Sequence, residues 1–408
     1  MSRNIFLSLI LCVIGVFTIR ALHSDISYLV LAPPHQQTIW KYQCIDTMKY
    51  SRDRARAFSQ GKLSTSEVTS QVEKIASLGA NCISIGTPYD SEFLPYLSLW
   101  VKEARTHNLK VWFRGNWAGY EGWFEYPKLV SLDEHHTKTK NFIIEHKDLF
   151  ESGDIFTPAP EPENSPFFKP LFEKEPALFR SFISQSSLSA SSAFKQIDRD
   201  VHTEFTSLSG GVATYALDKE TVSDLNNTVT LDHYVSSPEE MDEYISRFNS
   251  LYGAQIALGE FGAPIPDING AMTDEGQAKF VNSLLQTLTK RHSLVPAINY
   301  WTLSDASTAL LDTEMKEKPV AKVLREYYKP IVVYGSVENI FGFPVPNARI
   351  VDQTRTLETT SDARGYFSIL LPNKGSITLQ VNAPGSPEQI VTINSKNPGL
   401  KKMRVKLQ

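Results

Sequence analysis

Two short stretches place carboxylates beside glycine and proline. The first is Gln255-Ile256-Ala257-Leu258-Gly259-Glu260-Phe261-Gly262-Ala263-Pro264, an apolar run too short for a helix that stops at a glycine, one acid and another glycine. It reads as a buried strand delivering a carboxylate to its C-terminal end, with glycines that let a backbone or a ligand approach closely. The second is Asp154-Ile155-Phe156-Thr157, a short strand running into Pro160-Glu161-Pro162-Glu163-Asn164, with two acids and an amide at its end. Buried strands that end on acids are where a parallel α/β barrel keeps reactive groups. The plainer use of such a glutamate is an ion pair with a nearby arginine. Arg114, at the end of Leu109–Arg114, suits either role: it could hold a neighbouring acid ionised or form a structural pair.

The elements that must position these residues alternate regularly. Strands are expected at Trp40–Met48 (ending near Asp46), Asn81–Gly86, Leu109–Arg114, Asp154–Thr157, Val212–Leu217, Val229–Tyr234, Gln255–Glu260 and Ala297–Trp301. Helices separate them: one opened by the capping box Ser64-Thr65-Ser66-Glu67, then others at Phe93–Thr106, Thr137–Phe150, Ala177–Asp200, from Pro238 onward, and at Glu275–Lys290. Eight strands separated by helices point to a (β/α)₈ TIM barrel over residues 31–329. No Gly-x-Gly-x-x-Gly follows a strand, so an open nucleotide-binding sheet has no positive signal. From Ile331 the helical period ends and the chain alternates between turns, as a small all-β sandwich over 330–408 would.

Composition bounds the partners. The 408 residues are 41% hydrophobic and 21% charged, enough to bury a large core, and the net charge of -4 argues against nucleic acid as the main partner. Cys44 and Cys82 fall in expected strands and read as buried free thiols, and no Cys-x-x-Cys or other metal-ligand spacing appears. Arg3, the apolar run Ile5–Ile19 and Arg20 read as a signal peptide within residues 1–30, with an uncleaved anchor as the alternative. The chain is thus expected to be secreted, or attached to the outer face of a membrane by that segment.

Taken with the eightfold pattern, the motifs resemble the glycoside hydrolases of clan A, retaining (β/α)₈ enzymes that act on β-linked sugars. Gly259-Glu260-Phe261-Gly262 is similar to the clan's nucleophile motif at the seventh strand, and Glu161-Pro162 to its acid/base motif at the fourth. Trp301 matches the aromatic residue after the eighth strand, and His233 and Tyr234 the residues of the sixth. The resemblance covers roughly residues 40–328 and implies no cofactor and no metal. It implies Glu260 as nucleophile and Glu161 as proton donor, with Glu163 as the alternative donor. Trp301, Tyr234, His233, Arg114, Trp117, Glu163, Asn164 and Asp46 would contact a β-linked oligo- or polysaccharide. Pro160 stands where the clan has an asparagine that binds the sugar 2-hydroxyl. That departure keeps open a second reading, a catalytically weak, glycan-binding barrel of a cell-envelope or adhesion protein. Glu121 and Glu125 read as a solvated loop face. The tail resembles a carboxypeptidase-regulatory-like, prealbumin-type module through Gly335-Ser336-Val337, Gly342–Ala348 and Thr360–Phe367, in which Asp362…Gly365-Tyr366-Phe367 reads as a hairpin turn.

Overall fold

The computed structural model describes residues 38–407 apart from 128–130, 167, 355 and 395–398. The expected leader segment Ile5–Ile19 lies outside the described residues. Among the described residues no helix is long and apolar enough to cross a membrane.

Trp40–Tyr328 forms one compact unit. Its strands are β1 (Tyr42–Asp46), β2 (Cys82–Ile85), β3 (Lys110–Phe113), β4 (Ile155–Phe156), β5 (Ser207–Ser209), β6 (Thr228–Asp232), β7 (Gln255–Phe261) and β8 (Ala297–Tyr300). They form one sheet in the order β4-β3-β2-β1-β8-β7-β6-β5, with every paired neighbour parallel. Phe156 N donates to His202 O at 2.8 Å and Glu161 N to Ser207 O at 3.1 Å, joining the two ends into a TIM barrel. Nearly every strand residue is buried, as expected where helices cover the outer face and side chains fill the interior. The first outer helix, Thr65–Ser77, starts at the expected capping box: Ser64 Oγ accepts from Ser66 N, and Ser64 N donates to Glu67 Oε1. Ser237 likewise caps Pro238–Tyr252 by accepting from Glu240 N.

Two expectations fail inside the barrel. Val212–Leu217, expected as the fifth strand, lies in a helix, Gly210–Ala216, and the strand itself is the three residues before it. The run's apolar residues serve the helix instead. Ala213 and Ala216 face inward one turn apart, and Ser209 Oγ caps the start by accepting from Val212 N. The thiols are not free either: Cys44 and Cys82 form a disulfide. They sit directly opposite one another on β1 and β2, with Cα atoms 4.3 Å apart. Strand register decides this, and the 38-residue separation carries no information about it. The bridge belongs to an apolar cluster with Tyr42, Trp112, Ile155, Phe205, Ala257 and Ala297, drawn from most of the strands.

Lys329–Gln408 belongs to a second unit, described by itself. Here β9 (Ile331–Glu338), β12 (Tyr366–Leu371) and β15 (Gly399–Lys406) form one sheet. The other holds β10 (Arg349–Asp352), β11 (Glu358–Thr360), β13 (Ser376–Asn382) and β14 (Gln389–Asn394). Val333, Phe367 and Ile369 of the first sheet share a core with Ile350, Leu379 and Val381 of the second. The Asp362–Tyr366 turn forms, with Gly365 at φ 76° and Asp362 Oδ1 accepting from Tyr366 N at 2.8 Å. It joins strands of two different sheets, so it is not a hairpin.

Since the bridge closes a loop of 38 residues, replacing both partners (Cys44→Ala with Cys82→Ala) is expected to cost about 2–4 kcal/mol through the freed unfolded chain. A urea melt of the wild type and the double variant, each with and without reductant, checks this. Identical midpoints would mean that the bridge contributes nothing.

Candidate active site

The strand ends meet around one buried cation. Arg114 follows β3 and is 1% exposed. Its Nη1 donates to Gly259 O (2.8 Å), Glu260 Oε1 (3.0 Å) and Asp46 Oδ2 (3.3 Å), and its Nη2 to Asp232 Oδ2 (2.6 Å). Burial pulls its pKa down, but Asp232, Glu260 and Asp46 more than offset this, so the guanidinium stays charged.

Glu260 reaches this cation through an irregularity in the sheet. Ala257 faces the interior cluster, so strict alternation would send residue 259 inward and residue 260 outward. Register shifts at Leu231/Asp232 and between Leu258 and Phe261 break the alternation and set Asp232 opposite Glu260. Gly259 is required there, because a Cβ would collide with Asp232 Oδ1. Glu260 is 7% exposed, and its second oxygen accepts from the Tyr234 hydroxyl at 2.7 Å. Burial pushes the Tyr234 phenol up, with Glu260 adding to the effect, so it remains a donor.

Glu161 approaches from the other side. It sits between two prolines with φ 42°, in the left-handed region, and is held there by Glu161 N to Ser207 O and Asn164 N to Glu161 O. Carboxylate oxygens of Glu161, Asp232 and Glu260 all lie within 4.8 Å of one another. Three acids this close to one guanidinium cannot all be ionised. Burial raises Glu161 and Glu260 to about 7 each and drives Asp232 well above the usual range, against the pull of Arg114. Arg114 bonds both Glu260 and Asp232 and Tyr234 also bonds Glu260, which favours charge on those two, while near neutral pH the three acids share the protons that burial keeps bound.

The other expected site residues fall into two sets. Trp301 is half-buried after β8, its ring 6.0 Å from Tyr234 and 5.7 Å beneath Lys49 Nζ. Glu163 is turned aside: Oε1 accepts from Ser209 N at 2.7 Å, Oε2 is buried without a partner, and burial raises its carboxyl. Asn164 is exposed. Asp46 is consumed by the scaffold, accepting from Met48 N, Ser84 Oγ, Asn299 Nδ2 and Arg114. His233 packs on Tyr244, 4.2 Å between ring centroids, and burial lowers its pKa. The Trp117 ring contacts Tyr89 and Phe142 inside its own wall, with Nε1 on Thr139.

Sequence reasoning missed Asp232, Asn299 and Glu121. Asp232 precedes the flagged His233-Tyr234 pair and looked like an ordinary strand end. Asn299 Nδ2 bonds Gly259 O and Asp46 from β8, and its inward position followed from alternation alone. Glu121, expected on a solvated face, is half-buried. Burial raises its pKa, Arg52 and Trp123 partly counter this, and Glu260 raises it further. Arg52 stacks over the Trp123 ring at 4.7 Å. Glu125 is exposed, as expected.

No family model matches the sequence, and no curated protein matches it. Solved structures do match in fold. A GH5 protein of Streptomyces cattleya, in complex with Manb1-4GlcNAc, superposes with TM-score 0.52 at 11% identity over 72% of this chain and 84% of its own. A Bacteroides uniformis β-glucuronidase gives 0.48 at 12% identity over 84% of this chain, and XacCel5A in complex with cellopentaose gives 0.48 at 13% over 71%. The chain spans less than half of that β-glucuronidase, 44% of its length. At these identities the likeness is one of fold alone, a (β/α)₈ barrel.

The crowded acids make stability depend on pH. Glu161 has a folded pKa near 7 against an ordinary value of 4.5, so the folded protein holds a proton that the unfolded chain has lost. That contribution is present below about pH 4.5 and disappears as pH rises through 7. Glu161→Gln removes the acid, and its melting temperature should gain on the wild type between pH 5 and 8, by roughly 2–4 °C if about 1 kcal/mol is relieved. Melts of both proteins across that range check it; a constant offset would show that Glu161 is not crowded.

Proposed function

We propose that the barrel is a retaining glycoside hydrolase of β-linked oligo- or polysaccharide, with Glu260 as nucleophile and Glu161 as acid/base. The observation that carries this reading is the convergence of Glu161 and Glu260 with carboxylate oxygens within 4.8 Å. Retaining enzymes hold their pair about 5–5.5 Å apart, whereas inverting enzymes leave about 6.5–9.5 Å for a water. The electronic asymmetry fits the same division of labour. Glu260, anchored by Arg114 and Tyr234, is ionised and aimed for attack on the anomeric carbon. Glu161, raised by burial, delivers its proton to the leaving oxygen, then takes one from the water that releases the glycosyl-enzyme. Trp301, beside the nucleophile, offers a ring face for a sugar.

The Cys44–Cys82 bridge supports export, because disulfides persist in oxidising compartments. The C-terminal unit is read as a prealbumin-type spacer or adhesion module that takes no part in the chemistry. Pro160 in place of an asparagine favours the second reading, a glycan-binding barrel with little turnover.

Mutagenesis separates the two readings. Glu260→Gln should abolish turnover with little change in melting temperature. Glu161→Ala should cripple cleavage of a natural β-glycan by roughly 10²–10⁴-fold, the contribution of a general acid. It should spare the first step on an activated aryl β-glycoside and be rescued by azide. Glu163→Ala should show neither signature; if it does and Glu161→Ala does not, the donor is Glu163. Binding of β-glucan, mannan, xylan or galactan without hydrolysis of any would establish the second reading.

The pH profile is a further check. Protonation of Glu260 stops attack on the acid side, and loss of the Glu161 proton stops leaving-group protonation on the alkaline side. With both carboxyls near 7, kcat/KM should follow a narrow bell centred near neutrality. Glu161→Ala, assayed on the aryl substrate, should lose the alkaline limb only.

A further inference from the structure

Three bulky apolar side chains stand in solvent within four residues of the loop after β9: Ile340 at 62%, Phe341 at 76% and Phe343 at 65% exposure. Other exposed apolar residues, such as Tyr215 and Leu251, are scattered singly and need no explanation. Neither phenylalanine makes a ring contact among the described residues. The loop is nevertheless well defined. Asn339 N donates to Phe343 O (2.9 Å) and Gly342 N to Asn339 O (3.0 Å), while Asn339 Oδ1 accepts from both Phe341 N and Phe343 N (3.0 Å each). Gly342 supplies the positive φ, 82°, and Pro344 has no N–H to satisfy. The backbone donors of residues 341–343 are therefore all spent inside the loop.

Basic groups surround its base. Lys406 lies opposite Glu338 in the sheet, and Arg404 is ion-paired with Glu338. Gly365 packs under Pro344 and brings exposed Arg364 alongside. These three cations face two acids, Glu338 and Asp362.

We propose that the Asn339–Pro344 loop inserts into the surface of an anionic lipid bilayer. The inference is independent of the barrel's chemistry. A projecting tip fits a medium that yields to it. Its three large side chains carry no hydrogen-bonding atom, so they gain most from an apolar medium. Backbone groups without a partner are costly in hydrocarbon, and the amide donors of residues 341–343 are already satisfied within the loop, which lowers that cost at the interface. The basic base then lies at headgroup depth, where lysine and arginine gain from anionic lipid.

The test uses the full chain with Cys12→Ser, which leaves the disulfide as its remaining cysteines. Phe341→Cys carries an environment-sensitive fluorophore. Lys374→Cys, on the turn at the opposite end of β12, carries the same label as a control for attachment through any other segment. With phosphatidylglycerol/phosphatidylcholine vesicles, the label at 341 should shift to the blue and be quenched by acyl-chain nitroxides, whereas the label at 374 should not. Adding Phe343→Ser should weaken the response at least tenfold, and pure phosphatidylcholine or high salt should also reduce it. No quenching at 341, equal quenching at both positions, or indifference to Phe343→Ser would overturn the proposal, and retention on a polysaccharide or a protein without quenching would do the same.

Discussion

Burying a guanidinium inside a barrel demands partners on every side, and the strand ends are built around that demand. Arg114 leaves β3 and reaches Asp46 of β1, Asp232 of β6 and the Gly259-Glu260 segment of β7. Without those acids the desolvated charge would cost several kcal/mol; without the arginine the acids could not coexist so close together. The cluster holds more carboxyls than cations, and the imbalance is itself functional. Protons must stay bound near neutral pH, and the carboxyl with the fewest stabilising donors keeps one. On the hydrolase reading proposed above, that asymmetry would divide the roles of proton donor and nucleophile before any substrate contributes.

The backbone bends to serve this cluster. A regular β7 would have pointed Glu260 into the helical layer, so the register shift and the bare Cα of Gly259 are what deliver it inward. On the turned segment the Gly259 carbonyl also accepts from Arg114 and Asn299, so the irregular backbone does not leave a buried acceptor unsatisfied. Two residues back along β1 and β2 lies the disulfide. Cys44 precedes Asp46, and Cys82 precedes Ser84, whose hydroxyl bonds Asp46. The covalent link therefore pins the strand pair that supplies one wall of the polar layer.

Periodicity and short motifs made most of the architecture legible. Seven of the eight strands, the capped helices and the change at Ile331 followed from patterns that depend on nearby residues alone. What escaped depends on register or on neighbours distant in sequence. The apolar content of 212–217 suited a strand or a helix equally, and the serine cap decided for the helix. The disulfide required knowing which residues of β1 and β2 face one another. Asp232 carried no motif of its own, and only the placement of Arg114 reveals its part. Glu121 looked solvated because nothing local shows that its loop folds over the barrel mouth. His233 and Trp117, attractive as residue types, turned out to pack against neighbouring helices, on Tyr244 and Phe142.

The rim of β4 is where this chain departs most from the enzymes it resembles, and the structure gives that departure a physical form. Pro160 and Pro162 bracket Glu161, which sits in a left-handed conformation that few side-chain-bearing residues adopt willingly. The carboxyl reaches Glu260 from this position, while Asn164, the nearest amide along the chain, is exposed. Glu163 spends one oxygen on the Ser209 amide and so ties the rim to the start of the Gly210–Ala216 helix. Hydrogen bonds to the sugar 2-hydroxyl strengthen at the transition state and supply several kcal/mol in glycosidases. On the hydrolase reading proposed above, a barrel that keeps both carboxylates but turns Asn164 outward gives up one handle on the sugar. On that reading, selectivity rests more heavily on Trp301, which lies beside Tyr234 and beneath Lys49.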